Sequence, residues 1–404
     1  MGLMLPAFDQ DRIRQVFREN LSLATRLRET IEKCAEEIRK RESCELIKIM
    51  NFCGTHEWTT TRYGIRSLLP HFLDLVAGPG CPVCVTPAHY VEAAVKLALE
   101  GIRVYTYGDV LKLRGPGSSY PASLEEAKAC GGEVRVVYSY LDAIADARKH
   151  GRESVFFAIG FETTAPSYAL PFRENMVPEN LKFLNAIRLT PPAMKYTIKL
   201  YQERGLLPIR GVLAPGHVSA IIGASAWDFL PKEHGLPTVV AGFEPIDVML
   251  AVAQILLMIR ENKPETKIEY RRLVRWEGNQ YAIKAIEEVF EKTDAVWRGL
   301  GLMPRSGLRL RGELFDKFDA MKCFGISEAG TTGHDSSGSE IPSGCKCGEV
   351  VVGISKPVDC PMFLKGCSPA KPWGPCMVSS EGTCNVWARQ GIKTSEPFKG
   401  GQGG

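Results

Sequence analysis

Apolar positions along the chain fall into two rhythms. From residue 8 to 40, Ile13, Val16, Phe17, Leu21, Leu23, Leu27 and Ile31 recur among many charges, at the spacing of one helix face. This predicts a long amphipathic helix, or a pair of helices, packed across another element. Short apolar runs then take over: Leu46–Met50, Phe72–Ala77, Arg103–Tyr107, Val136–Tyr138, Ser154–Ile159, Gly211–Leu213 and Val239–Ala241. Each reads as a strand. Helical pattern lies between or after them, as at Ala88–Glu100 and Ile246–Glu261. Strands alternating with helices predict parallel sheet with both faces covered. From Lys263 to Asp319 the pattern is mixed, with a helix expected over Asn279–Val296.

The strand ends carry the unusual residues. Leu46–Met50 runs into Asn51-Phe52-Cys53-Gly54-Thr55-His56-Glu57, and Phe72–Ala77 into Gly78-Pro79-Gly80-Cys81-Pro82-Val83-Cys84. Ser154–Ile159 ends in Gly160-Phe161-Glu162-Thr163-Thr164-Ala165-Pro166. Gly211–Leu213 leads to Ala214-Pro215-Gly216-His217, and Val239–Ala241 to Gly242-Phe243-Glu244-Pro245. Ligands of parallel sheets sit beyond the carboxyl ends of the strands. Cys53, Cys81 and Cys84 are therefore expected on one rim. Asn51–Thr55 resembles Gly160–Thr164, and Ala77–Cys81 resembles Leu213–His217, in the same order. This faint repeat predicts two similar parallel-sheet αβα domains facing a cleft, the first carrying thiols and the second Glu162, His217 and Glu244. The expected boundaries are a helical segment at 1–44, α/β domains at 45–120 and 121–325, a cysteine-rich domain at 326–395 and a disordered tail at 396–404. Ala329–Ser343, rich in Gly, Ser and Thr, reads as a flexible connection.

The chain has 404 residues and a net charge of +4, with basic residues spread out rather than massed. That gives no reason to expect nucleic acid or a membrane surface as partner. No apolar run reaches the roughly 18–20 residues of a membrane span, and no signal peptide is read at the N-terminus. A cytoplasmic protein is expected. Thirteen cysteines change that bland picture, because a reducing compartment disfavours structural disulfides and the count points to metal or redox work. Cys34, Cys44, Cys130 and Cys323 are scattered and read as small hydrophobes.

Cys53, Cys81 and Cys84 offer three soft ligands, with His56 a fourth at most. A Cys3His zinc site and a thioredoxin-like exchange both fit this set. A thiol at a helix start loses its proton more easily. Cys345, Cys347, Cys360, Cys367, Cys376 and Cys384 crowd the late segment among glycines and prolines. Their spacing matches neither ferredoxin pattern. Six thiols suit one four-cysteine cluster with two to spare; two zinc ions sharing thiolates is the weaker alternative.

Cys53–Glu57, Gly78–Cys84, Gly160–Pro166 and the closing Cys376-Met377-Val378-Ser379-Ser380-Glu381-Gly382 together resemble the HypD family of hydrogenase maturation factors. The likeness covers roughly residues 45 to 390. It implies a scaffold for the Fe(CN)2CO unit of [NiFe]-hydrogenase, served by a HypC-type small chaperone and by a HypE-type partner that delivers cyanide as a thiocyanate. It implies Cys53 as the iron ligand and Cys81 and Cys84 as a redox-active pair. The late segment resembles the cluster region of ferredoxin–thioredoxin reductase. That implies a [4Fe–4S] cluster on Cys345, Cys360, Cys367 and Cys384, with Cys347 and Cys376 as a second redox pair. His56 and Glu162 are expected to move protons or hydrogen-bond a bound cyanide. The competing expectation is a thiol–disulfide reductase of the ferredoxin–thioredoxin type, which has no need of Cys53.

Overall fold

The computed structural model describes residues 14–116, 120–326 and 340–390. Eleven strands are β1 (Ile47–Asn51), β2 (Leu73–Ala77), β3 (Arg103–Thr106), β4 (Val134–Val136), β5 (Ser154–Gly160), β6 (Leu181–Ile187), β7 (Ile209–Pro215), β8 (Thr238–Ala241), β9 (Thr266–Ile268), β10 (Phe290–Trp297) and β11 (Gly301–Leu310) among the described residues. The chain forms two compact units, one of residues through Val76 with Tyr201–Gly278, the other of Ala77–Leu200 with Asn279 onward.

The first unit holds a sheet ordered β2-β1-β7-β8-β9, with β1, β7, β8 and β9 parallel. The helix Leu21–Glu42 starts where the Asn20 side chain accepts from the Leu23 N–H at 3.0 Å. It buries Leu27, Ile31, Cys34, Ala35 and Ile38 and packs along the helix Pro245–Glu261. Ile47, Ile49, Leu75, Leu213 and Val239 continue that core from the sheet side. The expected N-terminal helix is thus a short turn, Arg14–Arg18, followed by one long helix.

The second unit holds a parallel sheet ordered β4-β3-β5-β6 and the antiparallel hairpin β10–β11. Its core is aromatic: Tyr140, Phe156, Tyr168, Phe172 and Phe183 meet with ring centroids 4.7 to 6.2 Å apart, at separations where offset and edge-to-face rings attract. The cysteine-rich segment belongs to this unit and is built of single turns, Cys347–Val350, Pro357–Asp359 and Pro375–Met377, ending in the helix Thr383–Arg389.

The structure redraws the expected domain plan. β1 and β2 join β7, β8 and β9, whereas β3 joins β4, β5 and β6, so the two units do not follow the contiguous segments 45–120 and 121–325. The cause is register: β1 finds its parallel partner in β7, pairing Asn51 with Leu213. The two parallel sheets, of five and four strands, share the start of their strand order. Taking each unit's strands in chain order, both sheets run second, first, third, fourth. The motif pairs behind the expected repeat are nevertheless out of step. Cys53 follows the first strand of its unit, while Glu162 follows the third of the other.

The helix expected over Asn279–Val296 ends at Val289, and β10 begins at Phe290. The Asn279 side chain caps it by accepting from Ala282 N–H at 3.1 Å. Beyond Val289, Thr293 and Val296 favour an extended backbone. The hairpin is a fold element the sequence reading did not foresee. The expected connection falls outside the described residues up to 339, as do the glycine-rich end and residues 1–13.

Candidate thiol and metal sites

In the first unit, three neighbouring strands end side by side. Parallel pairing sets Asn51 of β1 against Leu213 of β7, and Pro215 of β7 against Ala241 of β8. Just beyond the strand ends stand Cys53, His217 in the first turn of the helix Gly216–Ile222, and Phe243. Cys53 is buried at the start of the helix Gly54–Arg62. The His217 imidazole lies beside it, with Nε2 at 3.8 Å and Nδ1 at 3.9 Å from Sγ. Phe243 stacks on His217 at 5.0 Å and lies 4.9 Å from the His56 ring.

His56 has no exposed surface. Its Nε2 is 2.9 Å from the Gly242 carbonyl and 3.3 Å from that of Ala241. Carbonyls only accept, so Nε2 carries the hydrogen and Nδ1 is a buried lone pair with no hydrogen-bond partner. Burial, helped by neighbouring His217, lowers the imidazole to about 4, so it stays neutral at ordinary pH. Glu57 is not free to join this chemistry: it pairs with Arg66 at 2.8 Å and accepts from Asn51 Nδ2 at 2.9 Å. Glu244 is taken up by Arg18, both contacts 2.8 Å. His217 and Glu244 therefore belong to the same unit as Cys53. The sequence alone places them on the domain opposite the thiols.

Cys81 and Cys84 lie in the second unit and form a disulfide. Cys81 caps a single turn, Pro82–Val85, its sulfur accepting from Cys84 N–H at 3.2 Å. The turn Pro375–Met377 packs against it, and Gly382 is wedged at the contact. A Cβ on Gly382 would fall 2.1 Å from the Cys376 carbonyl oxygen and 3.1 Å from Cys84 Sγ. Only glycine fits there. Ser379 tethers the same segment by donating to Asp109 at 3.1 Å.

The six late cysteines stand among one another. Burial pushes the Cys345 thiol up to about 12, with Cys360, Cys367 and Cys376 adding to the rise. Cys347 and Cys384 both donate to Cys376, which holds Cys376 well below an ordinary thiol and raises its two donors. Backbone N–H groups point at the sulfurs: Lys346 N is 3.5 Å from Cys360, and Trp373 and Gly374 N are 3.2 and 3.5 Å from Cys367. Gly374 admits the Cys345 sulfur, since a Cβ there would lie 2.5 Å from it. Among the described residues no three His, Cys, Asp or Glu side chains are grouped as ligands of a single ion. A four-iron cluster sets its thiolates farther apart than one ion does. Buried thiols with N–H donors aimed at sulfur are the donor set such a cluster takes.

Glu162 has a local partner. Its carboxylate accepts from Thr190 N at 2.7 Å and from Thr190 Oγ1 at 3.1 and 3.2 Å. Burial raises it to about 7. The residue the sequence reading passed over is Arg298, which lies in the β10–β11 turn and has 1% of its surface exposed. A buried arginine inside a turn leaves no periodic signal in the sequence.

The hydrogenase formation model HypD, described as the hypA family, matches residues 29–391. Hydrogenase maturation factor HypD2 of Bradyrhizobium diazoefficiens is 41% identical over 345 residues, covering 83% of this chain and 87% of its own. Hydrogenase maturation factor HypD of Cupriavidus necator is 40% identical over 342 residues, 83% of this chain and 87% of its own. A putative hydrogenase expression/formation protein of Methanocaldococcus jannaschii is 40% identical over 364 residues, 89% of this chain and 97% of its own. With nine-tenths of its length matched by the family model and such relatives at this identity, the chain belongs to the HypD family of hydrogenase maturation factors.

Proposed function

We propose that this maturation factor is the scaffold on which the Fe(CN)2CO unit of [NiFe]-hydrogenase is built, in the cytoplasm, with a HypC-type chaperone and a HypE-type cyanide donor. The observation that carries the reading is the buried Cys53 thiol with the His217 imidazole 3.8 Å from its sulfur. Thiolate and imidazole are both good ligands for iron. Iron is the cargo here, and Cys53 is its anchor. His217, which can donate or accept through either ring nitrogen, is placed to accompany it. His56, neutral and donating from Nε2 to the Gly242 and Ala241 carbonyls, keeps Nδ1 as a buried hydrogen-bond acceptor in the same unit. Glu162, occupied by Thr190, is a holding group for the helix Thr190–Glu203 rather than a ligand.

Cyanide transfer from a thiocyanate breaks an S–C bond and takes two electrons. The thiocyanate becomes a thiol and cyanide, while the Cys81 and Cys84 dithiol becomes the disulfide and releases one net proton. Cys345, Cys360, Cys367 and Cys384 would hold a [4Fe–4S] cluster, which when bound supplies electrons singly. Cys347 and Cys376, already in hydrogen-bond contact, would serve as the second thiol pair. The packing of the Cys376 turn on the Cys81–Cys84 turn supports communication between the pairs. It also favours the second reading, a thiol–disulfide reductase.

Iron quantification on protein co-expressed with both partners separates the readings. Cys53→Ala is expected to lose the iron that is present beyond the four-iron cluster and to keep the cluster's visible absorption. Retention of that extra iron would move the function to the reductase.

A further inference from the structure

Arg298 is a fully buried guanidinium in the β10–β11 turn, and its contacts tie the chain ahead of Cys345 to the turn after Cys84. Nε donates to the Glu340 carbonyl at 2.7 Å and Nη1 to the Arg114 carbonyl at 2.8 Å. Its backbone N–H donates to the carbonyl of Val85, the residue after Cys84, at 2.8 Å. The neighbouring glycines fix the depth of this contact. A Cβ on Gly348, next to Cys347, would lie 3.0 Å from the Gly299 carbonyl oxygen, and one on Gly299 would lie 3.3 Å from Gly348 Cα. The β10–β11 turn therefore presses against the backbone beside Cys347.

A buried cation is costly unless charges or dipoles compensate it. Two carbonyls give Arg298 dipoles only. Its acidic neighbour, Glu340, stands at 4.0 Å, the outer limit of an ion pair, and also accepts from Ala88 N–H at 2.7 Å, so it offsets the charge only in part. Burial pulls the guanidinium down from its ordinary value; the Glu340 carboxylate opposes this first, and Cys347 and Cys345 oppose it when ionised. Arg298 thus meets the cysteine centre as an incompletely balanced positive charge.

We propose that Arg298 is the fixed counter-charge of the late cysteine centre and sets its reduction potential. This rests on the cluster reading above. Adding one electron makes the centre one unit more negative, and a fixed cation in a poorly screened interior stabilises that reduced state. Arg298 is a positioning residue in this role, with no part in ligating iron. Glu340 acts in the opposite sense.

The test is a redox titration of the full chain, purified without oxygen and reduced with dithionite through mediators, followed by visible absorption and electron paramagnetic resonance. Arg298→Gln is expected to make reduction at least tenfold harder, about 59 mV to more negative potential for a one-electron couple. Arg298→Lys keeps the wild-type potential. Glu340→Gln, which can still cap Ala88, shifts it to more positive values. A merely structural clamp predicts a lower melting temperature for both arginine variants with potentials unchanged, and that result overturns the proposal. If Arg298→Gln fails to fold, an unshifted potential in Glu340→Gln overturns it equally. A wild-type chain without iron–sulfur signal removes the cluster reading and this proposal together. Signal with no shift removes only this one.

Discussion

At the scale of single residues, the site depends on groups whose protonation is set by burial. Glu162 is the clearest for stability. Its folded value of about 7 stands above the ordinary 4.5. Between those values the folded chain holds a proton that the unfolded chain has lost, so stability falls as pH rises through this window. At 1.36 kcal/mol per unit the loss is about 3 kcal/mol. Glu162→Gln keeps an acceptor for Thr190 and removes the titration. Urea unfolding at pH 5 and pH 8 is expected to show the wild type losing about 2.5 kcal/mol more than the variant; parallel losses would contradict it. The same scale shows where sequence reading stops. Cys53 announces itself in a motif, but its partnership with His217, 164 positions away, exists only because β1 lies against β7. No local pattern encodes that neighbour.

At the scale of elements, turns and caps matter more than long helices. The Cys81–Cys84 turn and the Pro375–Met377 turn meet through one glycine. Gly382→Ala places a methyl group against the Cys376 carbonyl and the Cys84 sulfur, and overpacking of this kind costs about 1–3 kcal/mol. The expected result is a lower urea midpoint and, after mild reduction, faster alkylation of Cys81 and Cys84. Gly108→Ala, whose Cβ would meet Val136 at an ordinary 3.7 Å, is the matched control and should stay within about 0.5 kcal/mol of wild type. Wild-type alkylation rates in Gly382→Ala would show that the turns are not coupled. Elements with strong patterns were legible: β1, β2, β3, β5, β8 and the helices Ala88–Leu99 and Pro245–Glu261 stand within a few residues of their apolar runs. The hairpin was not, because Pro304, Gly301 and Gly307 make β11 read as loop. β9 is half-buried throughout and offers no alternation to read.

At the scale of the whole chain, the α/β class with parallel sheets followed from strand–helix alternation. The assignment of strands to sheets did not. A chain that leaves one unit after β2 and returns at β7 looks, in sequence, like two consecutive domains. Its consequence is functional: the Cys53, His56 and His217 set is built entirely within one unit, and all eight remaining motif cysteines within the other. No helix among the described residues is long and apolar enough to cross a membrane. The division lets the iron-binding claim be tested without disturbing the cysteine centre. The decisive measurement is the infrared spectrum of the chain purified without oxygen from cells co-expressing its HypC-type and HypE-type partners. The account predicts metal-bound carbonyl and cyanide stretching bands in the wild type, absent in Cys53→Ala. A spectrum without those bands, from wild-type protein whose cluster and partners are intact, would contradict the scaffold role.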